Sequence, residues 1–179
     1  NQIELAKAEE RLSKHKARLL FDSGDIDKAE VGTFAGLAFI HAYLFGEIYD
    51  FAGKIRAVNI AKGSFRFVPL MYLKQSLEHI DAMPQSSYDE IVEKYVEMNI
   101  AHPFREGNGR SMRIWLDRIL KNQLQRVIDW NLVSKDDYLS AMERSPVNSL
   151  EIKVLLRSAL TVQINDRSLF MKGIDISYF

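Results

Sequence analysis

No cysteine occurs among the 179 residues. Disulfides, thiolate nucleophiles and cysteine-ligated metal centres are therefore excluded, and the composition suits a reducing, cytoplasmic compartment. Charge of neither sign is in excess: Lys plus Arg and Asp plus Glu each number 24. That balance removes the overall basic field that collects nucleic acid, so no direct nucleic-acid partner is expected. Long apolar runs are missing too. The longest mostly apolar stretch, 34–45, is too short to span a bilayer and contains His41. No membrane partner is expected, and no signal-peptide pattern is visible. Prolines number four and fall at joints between periodic segments. Repeats and low-complexity tracts are absent. What is there is a chain with 47% hydrophobic residues, long enough for one domain with a real core.

Helical periodicity dominates what remains. Residues 2–20 are rich in Ala, Glu, Lys and Leu and read as a charged helix. Phe34, Leu37, Ala38, Leu44, Phe45 and Ile48 form an apolar stripe. His41 lies on it, as a satisfied core histidine. Tyr88, Ile91, Val92, Tyr95, Val96 and Asn99 line one face of a further helix that His102 closes, since Pro103 prevents clean continuation. Met112, Trp115, Leu116, Ile119 and Leu120 place another helix over about 109–125. Ser134 with Asp137 reads as a helix start of the capping-box type. Leu150, Val154, Leu155, Ser158, Ala159 and Val162 read as a largely buried helix with Ser149 as its cap. Only between Gly53 and Pro69 does the period disappear. Two short β-prone runs around Lys62-Gly63 predict a hairpin there. The fold class is all-α with one short β-hairpin.

Residues 102–113 read His-Pro-Phe-Arg-Glu-Gly-Asn-Gly-Arg-Ser-Met-Arg. Gly107-Asn108-Gly109 is the turn feeding the 109–125 helix. Its first N–H groups lack internal partners and lie at the positive end of the helix dipole, so this end attracts anions. Arg110 and Arg113, one turn apart, reach back past the helix start, and a guanidinium matches phosphate through paired hydrogen bonds. A bare phosphate would repel Glu106. A magnesium ion between them resolves that conflict, because it takes carboxylate and phosphate oxygens together. His102 faces this helix start, and an imidazole with an ordinary pKa near 6.5 is suited to take a hydroxyl proton. A zinc site of the His-Glu-x-x-His kind is excluded by Pro103 and Gly107, which break the helix it needs. Arg113 also has Asp117 one turn later, and a surface ion pair there is compatible with ligand binding. His15 and His79 read as surface residues.

The pattern resembles the signature of the Fic (filamentation induced by cAMP) family, His-x-Phe-x-Asp/Glu-Gly-Asn-Gly-Arg-x-x-Arg. Ile40-His41, Leu44-Phe45, Ile48-Tyr49, Ala52-Gly53 and Arg56 are similar to the segment before that family's flap. The resemblance covers about 31–160 of a single domain over 1–179. It implies a protein adenylyltransferase that moves AMP from ATP to a Tyr, Thr or Ser hydroxyl of a target protein, releasing pyrophosphate. It implies His102 as general base and Glu106 as ligand of Mg2+ between the α- and β-phosphates. Gly107, Asn108 and Gly109 become an anion nest, Asn108 reaching the α-phosphate. Arg110 and Arg113 become β- and γ-phosphate clamps, and Phe104 a buried anchor. The hairpin, about 54–69, becomes the flap to which a target segment adds as a strand, through Ile55, Ala57, Val58, Ile60, Gly63 and Phe65. Lys62 at its turn is placed to approach the nucleotide.

The last residues carry one more expectation. Several Fic proteins inhibit themselves with a helix marked Ser/Thr-x-x-x-Glu-Gly/Asn, whose Glu pairs with the second motif arginine. Ser177 matches the first position of such a motif, and its Glu would lie two residues past Phe179. Segment 166–179 therefore reads as an inhibitory helix truncated before its Glu, leaving Arg113 uncovered. Ser86 and Glu90 have the same spacing, but Ile91 follows them. Self-modification at Tyr178 and homo-oligomer formation are further partner expectations. Two alternatives stay open. One is the same scaffold transferring UMP, phosphocholine or phosphate. The related Doc kinases lose the second glycine, which is intact here as Gly109. The other is a non-catalytic toxin–antitoxin binding module.

Overall fold

Local chemistry starts most of the helices. Ser87 accepts from the Glu90 N–H while the Glu90 carboxylate accepts from the Ser87 N–H, a complete capping box. Thr33 and Ser134 each accept a hydrogen bond from an N–H in the first turn that they cap. The fold is that of a computed structural model describing residues 1–178 and, at Tyr178, the backbone alone. The Tyr178 side chain, expected above as an AMP acceptor, lies outside the described residues.

The helices are α1 (Gln2–Asp22), α2 (Phe34–Phe45), α3 (Leu70–Ala82), α4 (Tyr88–Ala101), α5 (Asn108–Leu124), α6 (Lys135–Arg144), α7 (Leu150–Arg157) and α8 (Arg167–Asp175). Two small antiparallel pairs interrupt them. Strands β1 (Ala61–Lys62) and β2 (Phe65–Arg66) form a hairpin with Lys62 opposite Phe65. Strands β3 (Val127–Ile128) and β4 (Leu160–Thr161) pair distant parts of the chain. Among the described residues no helix is long and apolar enough to cross a membrane.

Helix α5 is the centre of the core. Trp115, Leu116, Ile119 and Leu120 are fully buried, and α2, α4 and α8 pack around them. The Trp115 indole N–H donates to the Thr33 carbonyl at 3.0 Å, tying α5 to the start of α2. Ala17 and Leu20 of α1 and Ile174 of α8 enter the same cluster, so the packed unit runs past the 31–160 stretch of resemblance.

Four expectations need correction. The hairpin is shorter than 54–69: only 61–62 and 65–66 pair, so Ile55, Ala57, Val58 and Ile60 lie in an irregular lead-in. The α7 face is different. Leu150, Val154 and Val162 are 63%, 60% and 66% exposed, whereas Ile152 and Leu156 are buried; Ala159, buried as expected, lies past the end of the helix. The sequence offers two apolar stripes on a two-turn helix, and packing against α4 and α6 takes the other one. Ser149 does not cap α7 with its side chain. Its hydroxyl donates to Glu93 at 2.5 Å, and Asn148 accepts from the Leu150 N–H instead. Nor is Asp117 a surface partner of Arg113. Buried, it accepts from the Ile128 N–H at 2.8 Å and the Trp130 indole N–H at 2.9 Å, and burial pushes its carboxyl up to about 7.

The capping box makes a direct prediction. Ser87→Ala lowers stability by about 1 kcal/mol, read as a shift of the urea midpoint at constant slope. An unmoved midpoint means that α4 does not depend on its cap.

Candidate active site

Helix α4 ends in a left-handed residue, and that residue is His102, with φ 48°. A non-glycine side chain in this region is strained, and Pro103 immediately after it resists any α conformation. The turn swings the imidazole out of the helix and across the hairpin, where it stacks on Phe67 with centroids 3.6 Å apart. His102 Nδ1–H donates to the Asn99 carbonyl at 3.2 Å. That bond leaves the lone pair on Nε2. Burial, with the nearby Arg56 and Lys62 charges, lowers the pKa from 6.5 to about 4, so the ring is neutral at pH 7.

The loop between α4 and α5 is pinned from inside. The Asn108 amide accepts from the Phe104 N–H at 2.9 Å and donates to the Phe104 carbonyl at 2.7 Å. His41 Nε2–H donates to the Glu106 carbonyl at 2.7 Å, and its Nδ1 accepts from the Gly53 N–H at 2.9 Å. His41 is fully buried and stacks on Phe104, which is also fully buried. The core role read from its position on the apolar stripe matches this geometry. Gly107 then takes φ 80° and begins α5 without a side-chain cap. A Cβ there would stand 2.6 Å from the Phe45 ring, so packing and backbone both require glycine. The first turn of α5 thus lies at the positive end of the helix dipole with no side-chain cap of its own.

The two arginines have different partners. Arg110 forms an ion pair with Glu9 of α1, and its guanidinium lies 4.6 Å over the Phe45 ring. Tyr49 donates its hydroxyl to the second oxygen of Glu9. Arg113 is held by the other end of the chain. Its Nε–H donates to the Gly173 carbonyl of α8 at 2.5 Å, and its Nη2 to the Ser177 hydroxyl. Ser177 thus lies against Arg113. Glu106 is exposed at the head of α5. Among the described residues no group of three His, Asp or Glu side chains forms a self-contained metal site.

Lys62 is exposed on β1, near enough to His102 for its charge to depress the imidazole. Gly63 turns the hairpin with φ 60°, and Phe65 is half-buried beside Phe67. Sequence reasoning missed two site residues. Glu9 sits in a run of alternating charge that reads as a solvated helix face. Arg56 is buried and donates to four carbonyls around the His102 turn and the hairpin. Its one signal was its place two residues past Lys54, within the stretch similar to the flap lead-in.

His41 and His102 both titrate about 4 in the fold, against 6.5 in a free chain. The folded values are depressed, so this stabilisation is present above about pH 6.5 and is lost as pH falls through about 4. Each ring contributes a slope of about 1.4 kcal/mol per pH unit inside that window. Urea unfolding from pH 7 to 5 measures it, and His102→Ala removes one of the two contributions. A slope that the substitution leaves unchanged contradicts a neutral His102.

Residues 33–120 match the Fic/DOC family. The protein adenylyltransferase VbhT of Bartonella schoenbuchensis is 31% identical over 160 residues, covering 76% of this chain and 33% of that protein. This chain therefore spans about a third of that relative's length. A Salmonella typhimurium relative, named a probable protein adenylyltransferase Fic, is 26% identical over 137 residues, covering 70% of this chain and 68% of that one. BepC of Bartonella tribocorum, solved with AMPPNP bound, aligns with a TM-score of 0.71 at 18% identity, over 91% of this chain and 89% of that one. A Bartonella quintana Fic domain, solved with ADP bound, aligns with a TM-score of 0.72 at 19% identity, over 96% and 90%. These two structures share the fold. Through residues 33–120, this chain belongs to the Fic/DOC family.

Proposed function

We propose that this chain is a protein adenylyltransferase, moving AMP from ATP to a hydroxyl of an acceptor protein. The observation that carries the reading is the conjunction at one loop. A neutral imidazole presents Nε2, and six residues on α5 begins without a side-chain cap, beside the Glu106 carboxylate. Base, anion site and metal ligand are thus held by one short, internally bonded segment. The similarity to proteins named adenylyltransferases supports the same chemistry.

The reaction follows from those positions. His102 Nε2 takes the proton from the acceptor hydroxyl. The oxygen attacks the α-phosphorus, a new P–O bond forms, and the bond to the α–β bridging oxygen breaks. Pyrophosphate leaves with the electron pair, and AMP remains as a phosphodiester on the acceptor. The N–H groups at the head of α5 and the Arg113 guanidinium stabilise charge on the phosphates. The Arg110 charge is shared with Glu9. Glu106 is the residue that would hold magnesium. The site fits: one exposed carboxylate, its own backbone carbonyl fixed by His41, is what an ion sharing its remaining ligands with phosphates and water needs. Bound there, the ion would neutralise the α- and β-phosphate oxygens. The hairpin edge is where the acceptor segment would add as a strand, bringing its hydroxyl past Phe67 to His102.

We also infer that the C-terminal helix restrains Arg113. The Gly173 and Ser177 contacts occupy the guanidinium that nucleotide would need. A carboxylate one helical turn beyond Ser177 would strengthen that hold.

Incubating the protein with MgATP and a cell lysate tests the reading by peptide mass. The expected adduct on Tyr, Thr or Ser is about +329 Da, whereas about +80 Da means phosphate transfer, and no adduct rejects both. His102→Ala lowers the labelling rate about 10²- to 10⁴-fold while leaving AMPPNP affinity within about twofold. Arg113→Ala weakens AMPPNP instead; equal loss of affinity in both variants defeats the division of roles. Extending the chain so that a Glu stands four residues after Ser177 suppresses labelling. Undiminished labelling removes the inhibitory role of α8.

A further inference from the structure

Arg56 is only 4% exposed, yet the acceptors of its guanidinium are backbone carbonyls rather than a carboxylate. Nε–H donates to the His102 carbonyl at 2.8 Å, and Nη2–H donates to that of Ala101 at 3.0 Å. These two carbonyls close α4, where helix carbonyls lack internal partners and the dipole is negative. The same fork turns the other way to the hairpin. Nη1–H donates to the Val58 carbonyl at 2.8 Å and Nη2–H to that of Val68 at 2.5 Å. Val58 precedes the hairpin and Val68 follows it, so one side chain grips both legs. Two backbone bonds run in parallel with it. The Arg56 N–H donates to the Pro103 carbonyl at 2.8 Å, and the Val68 N–H donates to that of Ile100 at 3.0 Å.

A full charge buried without a counter-ion is costly unless its donors are all used. Burial accordingly lowers the Arg56 pKa. A role in stability alone does not call for that cost. An apolar side chain would fill the space, while a planar fork with donors on three nitrogens is suited to fix four carbonyls in register. A lysine at this position has one ammonium and cannot span them.

We propose that Arg56 is a positioning residue that couples the acceptor-binding hairpin to the His102 base, so that a strand added at the hairpin and the imidazole that meets its hydroxyl share one frame. This rests on the adenylyl-transfer reading for the roles of His102 and the hairpin. The coupling itself is a statement about the folded chain and can be measured apart from activity. Phe67 gives the reporter. It belongs to the hairpin and stacks on the His102 ring, so its ring current marks the His102 ring protons whenever the two are held together.

The test compares wild type with Arg56→Lys by NMR. The substitution is expected to erase the Phe67 ring-current displacement of the His102 ring protons. Amide exchange of residues 56 and 68 should quicken about tenfold or more, since charge-assisted bonds are lost. Labelling of lysate proteins at saturating MgATP should fall about 10- to 100-fold, with the AMPPNP affinity within about twofold of wild type. His102 signals and exchange rates that stay at wild-type values overturn the proposal. So does a matching loss of AMPPNP affinity, which would make Arg56 a general support. Should wild type itself label nothing, the functional reading fails, while the NMR arms still decide the coupling. Wild type alone gives a check that needs no folded variant. Under rising urea the amides of Arg56, Val68 and His102 should exchange through one shared opening. Separate openings for Val68 and His102 reject the coupling.

Discussion

A neutral imidazole inside the core fixes where the site is. His41 donates to the Glu106 carbonyl from one ring nitrogen and accepts the Gly53 N–H on the other. Few side chains can do both at once. An ammonium only donates and a carboxylate only accepts, and either would bring a charge into a fully buried position. The ring must stay uncharged to keep its acceptor, and its surroundings ensure that: burial and the nearby Arg110 charge lower its pKa to about 4. Its face packs on Phe104, so the same residue that ties the loop also fills the volume beneath it. Removing it would orphan two backbone groups together.

Everything in the loop is placed relative to that tie. With Glu106 held by its carbonyl, its side chain must emerge at the head of α5. With Phe104 clasped by the Asn108 amide, the chain between them is closed into a small bonded ring. His102 and Gly107 stand at the two ends, both left-handed, at φ 48° and 80°. Strain at a non-glycine residue persists only when its surroundings over-determine it. Here the Phe67 stack, the Asn99 bond and the Arg56 bond to its own carbonyl do so. A rigid turn of this kind presents its donors and its lone pair already oriented, which is what chemistry at phosphorus asks of a protein.

Much of this was legible in the sequence, and the reason is local. His102, Pro103, Gly107 and the Met112-to-Leu120 stripe are signals whose meaning lies within a few residues, so the loop between two helices could be read with its ends nearly in place. The core role of His41 followed from its neighbours on one helix face. What escaped was long-range. Glu9 meets Arg110 across 101 positions, and nothing in a run of alternating charges marks one glutamate as different. Arg56 was visible as a residue but not as a buried one, because burial of a charge depends on carbonyls from segments that only the fold brings together. Asp117 carried its own misdirection, since spacing suggested Arg113 and the fold assigned it Ile128 and Trp130. Helix α7 shows the same limit for apolar residues: two stripes compete, and the packing partner chooses between them.

The two motif arginines show how far partners change a side chain's meaning. Arg110 is paired with a carboxylate, so its field beyond the pair is small, and α1 becomes part of the site through Glu9. Arg113 is held by a carbonyl and a hydroxyl, neither of which cancels its charge. The Gly173 carbonyl belongs to the last turn of α8, where the helix dipole is negative and the carbonyls lack internal partners. The end of α8 is therefore matched to a cation in sign but not in magnitude. Such a contact is strong enough to seat the helix, helped by Gly173, where a Cβ would come within 3.0 Å of the Trp130 indole. A full negative charge makes stronger hydrogen bonds to a guanidinium than either of these neutral acceptors does. Partial charges on a carbonyl and a hydroxyl, not a full opposite charge, therefore seat the end of α8 on Arg113.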